Sequence, residues 1–443
     1  MTTRETPASA SAWLLRQTIQ AHRDGASVGV YSVCSANQWV LEAAMTQAVV
    51  DEGFVLVEAT SNQVDQFGGY SGMTPAAFRD FVFEVAGTVG LPRERVVLGG
   101  DHLGPNRWQG RPADEAMALA EDLVRSYVGA GFVKIHLDCS MSCAGDPVPL
   151  TDGIVAERSA RLVKVAEESR PAEEDSWPLY VIGTEVPVPG GAHETIVSLT
   201  PTDPDAARAT LAAHRAAFEV AGVPEAWSRV AGLVVQPGVE FDHMQVIDYD
   251  RSRTERLRAV VGDYPGLVFE AHSTDYQTPE NLRALVEDHW AILKVGPGLT
   301  FALREALFAL ARIEDELVEE SQRSRLTQVI DERMVAHPES WQTYYEGGER
   351  EVHLARCYSY SDRMRYYWSD AVIEAAVDRL IANLRATGIP LPLLSQNLPE
   401  QYHHARRGEL PVGPRSIVVD HIRDALRPYS QACRPLVLAG ASR

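Results

Sequence analysis

Cysteine is scarce and unpatterned: Cys34, Cys139, Cys143, Cys357 and Cys433 are an odd number spread over 443 residues. That argues against a secreted disulfide framework and for a reducing compartment, the cytoplasm. Cys139 and Cys143 sit four apart with no second pair to complete a zinc knuckle. No run of about 18 apolar residues occurs, and the polar stretch Met1 to Ala10 lacks an apolar signal core, so a soluble protein is expected. Positive charge is short as well: 41 Lys and Arg face 61 Asp and Glu, a formal net charge of -20. Nucleic acid and anionic membranes are poor partners for such a chain. If it binds an anion, its site needs a local positive element: a metal, a helix N-terminus or a few Lys and Arg. Neither a Gly-x-x-x-x-Gly-Lys-[Ser/Thr] loop nor a kinase catalytic loop is present.

What is present is an ordinary globular composition, 45% apolar and 23% charged, with a regular alternation. Eight short β-rich runs stand out: 28–33, 54–59, 95–100, 132–137, 179–183, 230–235, 267–271 and 291–295. Helical patterns separate them, at 38–51, 75–89, 113–128, 155–168, 203–221, 253–262, 279–288 and 299–320. Strict alternation implies parallel strands with right-handed crossovers. Eight units of near-continuous Val, Ile and Leu strands predict an α/β fold, a (β/α)8 TIM barrel over residues 25–320. Thr74-Pro75 and Thr278-Pro279 read as helix caps. The strand pattern then stops, so the chain divides into a barrel region, 1–320, and a helical C-terminal extension, 321–443, with helices around 326–335, 370–387 and 416–429.

The polar residues gather after the strands. The strand ends carry Cys34-Ser35-Ala36-Asn37, Glu58 with Asn62, Asp101-His102, His136-Leu137-Asp138, Glu185, Gln236 with His243, Glu270-Ala271-His272-Ser273 with Asp275, and Lys294. In a barrel these ends converge on one mouth. Four histidines (His102, His136, His243 and His272) on mouth-facing segments point to a metal site. Adjacent residues of a strand face opposite ways, so Asp101 can point inward while the loop swings His102 onto the same site. Glu185 and Glu270 read either as ligand or base, or as salt-bridge partners of Lys134 or Lys294.

Long stretches of the chain resemble one family. Tyr31-Ser-Val-Cys-Ser-Ala-Asn37, Gly99-Gly-Asp-His-Leu-Gly-Pro-Asn106, Val235-Gln-Pro-Gly-Val-Glu-Phe-Asp-His243, Glu270-Ala-His-Ser-Thr-Asp-Tyr-Gln-Thr278, Ile292-Leu-Lys-Val-Gly-Pro297 and Tyr358-Ser-Tyr-Ser-Asp-Arg-Met-Arg-Tyr-Tyr-Trp368 are similar to the Z subunits of bacterial tagatose-1,6-bisphosphate aldolases, proteins once described as tagatose-6-phosphate kinases. The resemblance implies a role in sugar-phosphate catabolism, either as a metal-dependent lyase or as an isomerase of the ketohexose-phosphate 4-epimerase kind. It equally implies a non-catalytic subunit that stabilises a partner class II aldolase; a homo-oligomer is the other assembly expected.

A more distant similarity to the catalytic class II aldolases implies roles for single residues. Asp101 matches their proton-transfer aspartate, and His102 and His272 match zinc ligands, with His243 a looser third. The catalytic candidates are thus Asp101, Glu185 and Glu270. The metal candidates are His102, His243 and His272, with Glu185 a further ligand, for zinc or else manganese. Ser35, Asn37, Asn62, Asp138, Gln236, Ser273, Asp275 and Lys294 are the substrate-binding candidates. The ion would stabilise the enediolate left by C3–C4 cleavage while Asp101 takes the C4 hydroxyl proton. Loops seven and eight with the following helix N-terminus suit a phosphate, although Val295-Gly296-Pro297-Gly298 departs from the aldolase phosphate segment there.

Overall fold

The computed structural model describes residues 10–172, 177–183 and 199–434. Eight parallel strands close a barrel: β1 (Val30–Cys34), β2 (Val55–Thr60), β3 (Val96–Leu103), β4 (Lys134–Leu137), β5 (Leu179–Ile182), β6 (Val230–Val234), β7 (Val268–Ala271) and β8 (Ile292–Val295). Each strand pairs with its sequence neighbours, and β1 closes onto β8 with Val30 beside Ile292 and Val33 beside Val295. The α/β alternation expected from sequence is therefore a true (β/α)8 barrel. Helix α1 (Ala10–Arg23) precedes it. Helices α2 (Gln38–Val50), α3 (Pro75–Val89), α4 (Ala113–Gly129), α5 (Asp152–Ser169), α6 (Pro204–Val220), the one-turn α7 (Glu255–Arg258), α8 (Pro279–Glu287) and α9 (Pro297–Leu317) follow strands one to eight in turn. Thr74 and Thr278 do cap α3 and α8, accepting from the Ala77 and Asn281 amides ahead of Pro75 and Pro279.

The period of two along each strand sorts its residues into two cores. Val30, Leu56, Val97, Val181, Val268 and Ile292 point inward and meet Leu14, Leu15 and Ile19 of α1, which plugs the barrel bottom. Their strand neighbours, such as Val33, Val57, Leu98, Ile135 and Phe269, face outward against the helix ring. Two residues further up each strand the inward face changes character: Glu58 on β2, Lys134 on β4, Glu270 on β7 and Lys294 on β8 are all buried. Gly99 makes room for them, since a Cβ there would lie 2.7 Å from Glu58 Cγ.

Beyond α9 come α10 (Leu326–Ala336), α11 (Glu349–Tyr358), α12 (Ala371–Thr387), α13 (Leu391–Asn397), α14 (Pro399–Arg406) and α15 (Pro414–Cys433). The tail is helical, as its sequence pattern indicates. Helix α15 packs against α2, α8 and α9. Among the described residues, no helix is long and apolar enough to cross a membrane.

Candidate metal centre and substrate cavity

The inward face of the strands builds a layered polar column. At its base, Lys134 Nζ lies 2.5 Å from Glu58 Oε1 and 2.7 Å from Glu270 Oε2, touching both carboxylates off the line of a well-angled hydrogen bond. Lys294 contacts Glu58 and sits 2.8 Å from Asp101 Oδ1. Burial disfavours both ammonium charges, yet the surrounding carboxylates more than offset it and hold both lysines protonated. Isolated, any one of these charges would be expensive at zero exposure; the alternating signs make the column tolerable.

Above it sit three histidines. The rings of His102, His136 and His272 form a triangle of centroids 5.0 to 5.1 Å apart, each edge-to-face with the others. His136 and His272 arrive by the strand period, two residues above Lys134 and Glu270. His102 does not, because its neighbour Asp101 already holds the inward position. It reaches the site through a left-handed backbone (φ 49°) at a register break between Gly100 and Leu103, strain of the kind stored at functional sites.

Each ring has one nitrogen fixed by a carboxylate. His102 Nδ1 is 2.7 Å from Asp138 Oδ2, His136 Nδ1 is 2.7 Å from Asp101 Oδ1, and His272 Nε2 is 3.0 Å from Glu270 Oε1. A carboxylate only accepts, so His102 Nδ1 and His272 Nε2 carry their protons, while His136 Nδ1 also faces the His102 backbone N–H at 3.2 Å. The lone pairs of His102 and His272 fall on Nε2 and Nδ1, the arrangement in which imidazoles bind metals. His136 Nε2 is buried with no hydrogen-bond partner, an expensive state that a ligated cation would relieve. Asp101, His102, His136 and His272 offer ligand atoms within 4.8 Å of one another. The charge count agrees: Glu58, Asp101, Asp138 and Glu270 against Lys134 and Lys294 leave four negative and two positive groups, a deficit that one divalent cation cancels. The residues present therefore fit a divalent metal.

The titration behaviour follows from these contacts. Burial alone would raise the Asp101 carboxyl, but His102, Lys294 and His136 together hold it well below the usual carboxylate range. Burial pushes His272 down to about 3, with His102 adding to the effect and Glu270 opposing it, so it stays neutral and ligand-ready. For His102, burial is outweighed by Asp101 and Asp138, which lift its pKa above that of a free imidazole.

The centre opens into a cavity of about 490 Å³ whose wall includes Asp101, His102, His272 and Lys294. Ser35, Asn37, Asn62, Ser273 and Asp275 also line it. Other expected site residues stand elsewhere. Asp138 is fully buried behind His102 and is held by Asn106, 2.8 Å away, and by Ser140, 2.7 Å away; it orients a ring where substrate contact was expected. Glu270 stands behind His272 and beside Lys134, the salt-bridge alternative of the sequence reading, and so is no direct acid or base candidate. Gln236 Oε1 takes the Gly238 and Val239 amides, shaping the loop after β6. His243 is not in the histidine cluster. Its Nδ1 meets Ser361 Oγ at 2.9 Å and its Nε2 the Tyr344 carbonyl at 2.8 Å, so both nitrogens are engaged by the C-terminal extension. The place assigned to His243 is filled by His136, which the sequence puts at the mouth through strand period alone. Glu185 lies outside the described residues.

The helix ends at the mouth also differ from expectation. Asp275 Oδ1 accepts from the Gly296 amide (2.9 Å) and the Gly298 amide (2.7 Å), so the start of α9 is already occupied by a carboxylate. Asn37 Oδ1 likewise accepts from the Trp39 and Val40 amides at the start of α2.

Fold and site together define a (β/α)8 barrel with a candidate divalent-metal centre at its C-terminal mouth. The chain belongs to the D-tagatose-1,6-bisphosphate aldolase subunit GatZ/KbaZ-like family, whose model matches residues 15–434. Among solved structures, a probable tagatose 6 phosphate kinase from Sinorhizobium meliloti 1021 is 49% identical with a TM-score of 0.85, covering 91% of this chain and 100% of its own. The fructose-bisphosphate aldolase of Campylobacter jejuni is 11% identical with a TM-score of 0.48, covering 84% of this chain and 92% of its own. The YdjI aldolase of Escherichia coli K12 is 13% identical with a TM-score of 0.40, covering 85% and 97%. Likeness of the last two kinds carries no functional argument.

Proposed function

We propose that this chain performs metal-dependent aldol chemistry on a ketohexose phosphate, breaking and re-forming the C3–C4 bond as an aldolase or as a 4-epimerase of fructose and tagatose configurations. The observation that carries this reading is the convergence of three carboxylate-fixed histidines beside Asp101, with His102, His272 and Asp101 in the cavity wall. His102, His136 and His272 would hold the ion, and three imidazoles suit zinc, with manganese the alternative. The bound divalent ion would serve as Lewis acid for the ketose carbonyl. Asp101 has its Oδ1 held by His136 and Lys294, while Oδ2 has only longer contacts, 3.8 Å to His102 Nε2 and 3.9 Å to Cys34 Sγ. That free oxygen accepts the C4 hydroxyl proton on cleavage and returns it on re-formation. Release of the aldehyde half, with the proton delivered to C3 of the enediolate, gives an aldolase; rotation before re-formation gives the epimer. Ser35, Asn62 and Ser273 line the same cavity and suit the sugar hydroxyls. Lys294 keeps Asp101 ionised and in place.

A second reading is a supporting subunit for a class II aldolase, and it is favoured by the family's own description as an aldolase subunit. The purified chain separates the two. Metal analysis should find close to one divalent ion per chain, and NMR should show fructose 6-phosphate and tagatose 6-phosphate interconverting or splitting. Absence of turnover, with stimulation of an added tagatose-bisphosphate aldolase, establishes the supporting role instead.

A further inference from the structure

The proposed substrate carries a phosphate, and an anion of that kind needs a seat at the cavity. Helix N-termini are the usual anion seats at a barrel mouth. Two that open on this cavity, at α2 and α9, have amides capped by Asn37 and Asp275. Three Lys or Arg side chains line the cavity wall: Lys294, Arg365 and Arg415. Lys294 is committed to Glu58 and Asp101, and Arg415 to Glu42 while stacking on Trp39. Arg365 differs from both. Among the described residues no carboxylate lies within ion-pair distance of it.

Its hydrogen bonds leave a particular edge open. Nη1 donates to the Ser361 and Asp362 carbonyls, and Nη2 donates to the Tyr366 hydroxyl at 2.9 Å. Five N–H donors are available to a guanidinium. Nε–H and one Nη2–H therefore have no acceptor among the described residues, and these two donors are open to an oxyanion. Burial opposes the charge, but neighbouring tyrosines and Asp362 favour it, and it remains a cation.

The segment carrying Arg365 is braced by the barrel loops. His243 bonds Ser361, Tyr276 Oη donates to the Tyr360 carbonyl at 2.6 Å, and Asp362 pairs with Arg304 at 2.7 Å and with Thr300. Asp362 itself turns the chain with φ 42°. The histidine expected to bind metal instead helps fix a C-terminal arginine over the mouth.

We propose that Arg365 is the phosphate-binding residue of this cavity, taking the terminal phosphate of the substrate while the capped ends of α2 and α9 take none. The proposal rests on the sugar-phosphate reading above, and its test uses binding rather than turnover. Calorimetric titration of the full-length protein with fructose 6-phosphate, fructose and fructose 1,6-bisphosphate measures what the phosphates contribute. In wild type, fructose 6-phosphate should bind well above fructose, and the bisphosphate no tighter than the monophosphate. Arg365→Gln should weaken fructose 6-phosphate roughly 10- to 100-fold and leave fructose unchanged. Arg365→Lys, which keeps the charge but loses the guanidinium donors, should fall between. Equal affinity for fructose 6-phosphate in wild type and in either variant that melts cooperatively overturns the assignment. So does a bisphosphate bound tenfold tighter than the monophosphate. Tight, Arg365-dependent binding without conversion would leave this site standing and defeat the catalytic reading alone.

Discussion

Asp101 has two duties in this site, and one substitution separates them. Through Oδ1 it contacts the His136 ring, and its Oδ2, which has only longer contacts, is the proton acceptor of the proposed mechanism. In Asp101→Asn the amide can still hydrogen-bond His136 Nδ1, so the ring keeps its place and the ion keeps that ligand. What the amide cannot do is take a proton. Turnover should therefore fall roughly 10²- to 10⁴-fold, the usual worth of a general acid–base group, while metal content per chain stays within error. Loss of activity in proportion to loss of metal would assign Asp101 to orientation only. The direction of its titration adds a further expectation. Because His102, Lys294 and His136 hold the carboxyl far down despite burial, the acid limb of the rate profile should not report Asp101 ionisation anywhere near neutral pH.

At the scale of elements, the site depends on how β3 ends. After Leu103 the chain passes Gly104 against the end of β4, where a Cβ would stand 1.8 Å from the Asp138 carbonyl oxygen. The φ of 176° is open to any residue, so the requirement for glycine here is steric. Gly104→Ala must push the β3 loop from β4, at about 1–3 kcal/mol for overpacking, and it moves Asp138, the carboxylate that orients His102. Lower melting temperature together with weaker metal retention should follow; a variant stable and metal-replete as wild type would uncouple this junction from the centre. The junction also shows what a sequence can and cannot reveal. Strand positions were legible because the barrel buries both faces of each strand, leaving near-continuous apolar runs. His136 and His272 were legible as mouth residues by counting in twos from those runs. Tautomers and pairings were not, since whether Glu270 is a base or a brace depends on a contact with Lys134, which is 136 positions away in the chain. His243 misled for a related reason: its loop leads from the mouth towards the tail, and only the position of Ser361 decides which it serves.

For the whole molecule, the open question is whether the tail is an appendage or part of the barrel. The outward face of β1 presents Tyr31, which meets the Tyr429 ring of α15 with centroids 6.2 Å apart. Tyr429 Oη donates to the Thr274 carbonyl at 2.6 Å, just after His272, and the Gly29 amide donates to the Cys433 carbonyl at 2.8 Å. Helix α15 buries Ile417, Val418, Ile422, Leu426 and Tyr429 against the helix ring. At about 1.5–3 kcal/mol for each large apolar side chain, those five alone contribute on the order of 10 kcal/mol, an upper figure given a compact unfolded chain. A domain of ordinary stability has about 5–15 kcal/mol in total. Cutting the chain at residue 320, where the strand pattern stops, should thus yield no cooperatively folding barrel, and full-length protein should unfold in a single calorimetric transition. A soluble 1–320 fragment with a sharp melt would show that the extension is separable. The same fragment would then lack Arg365, and its retained metal with lost phosphate affinity would divide the site along the boundary between barrel and tail.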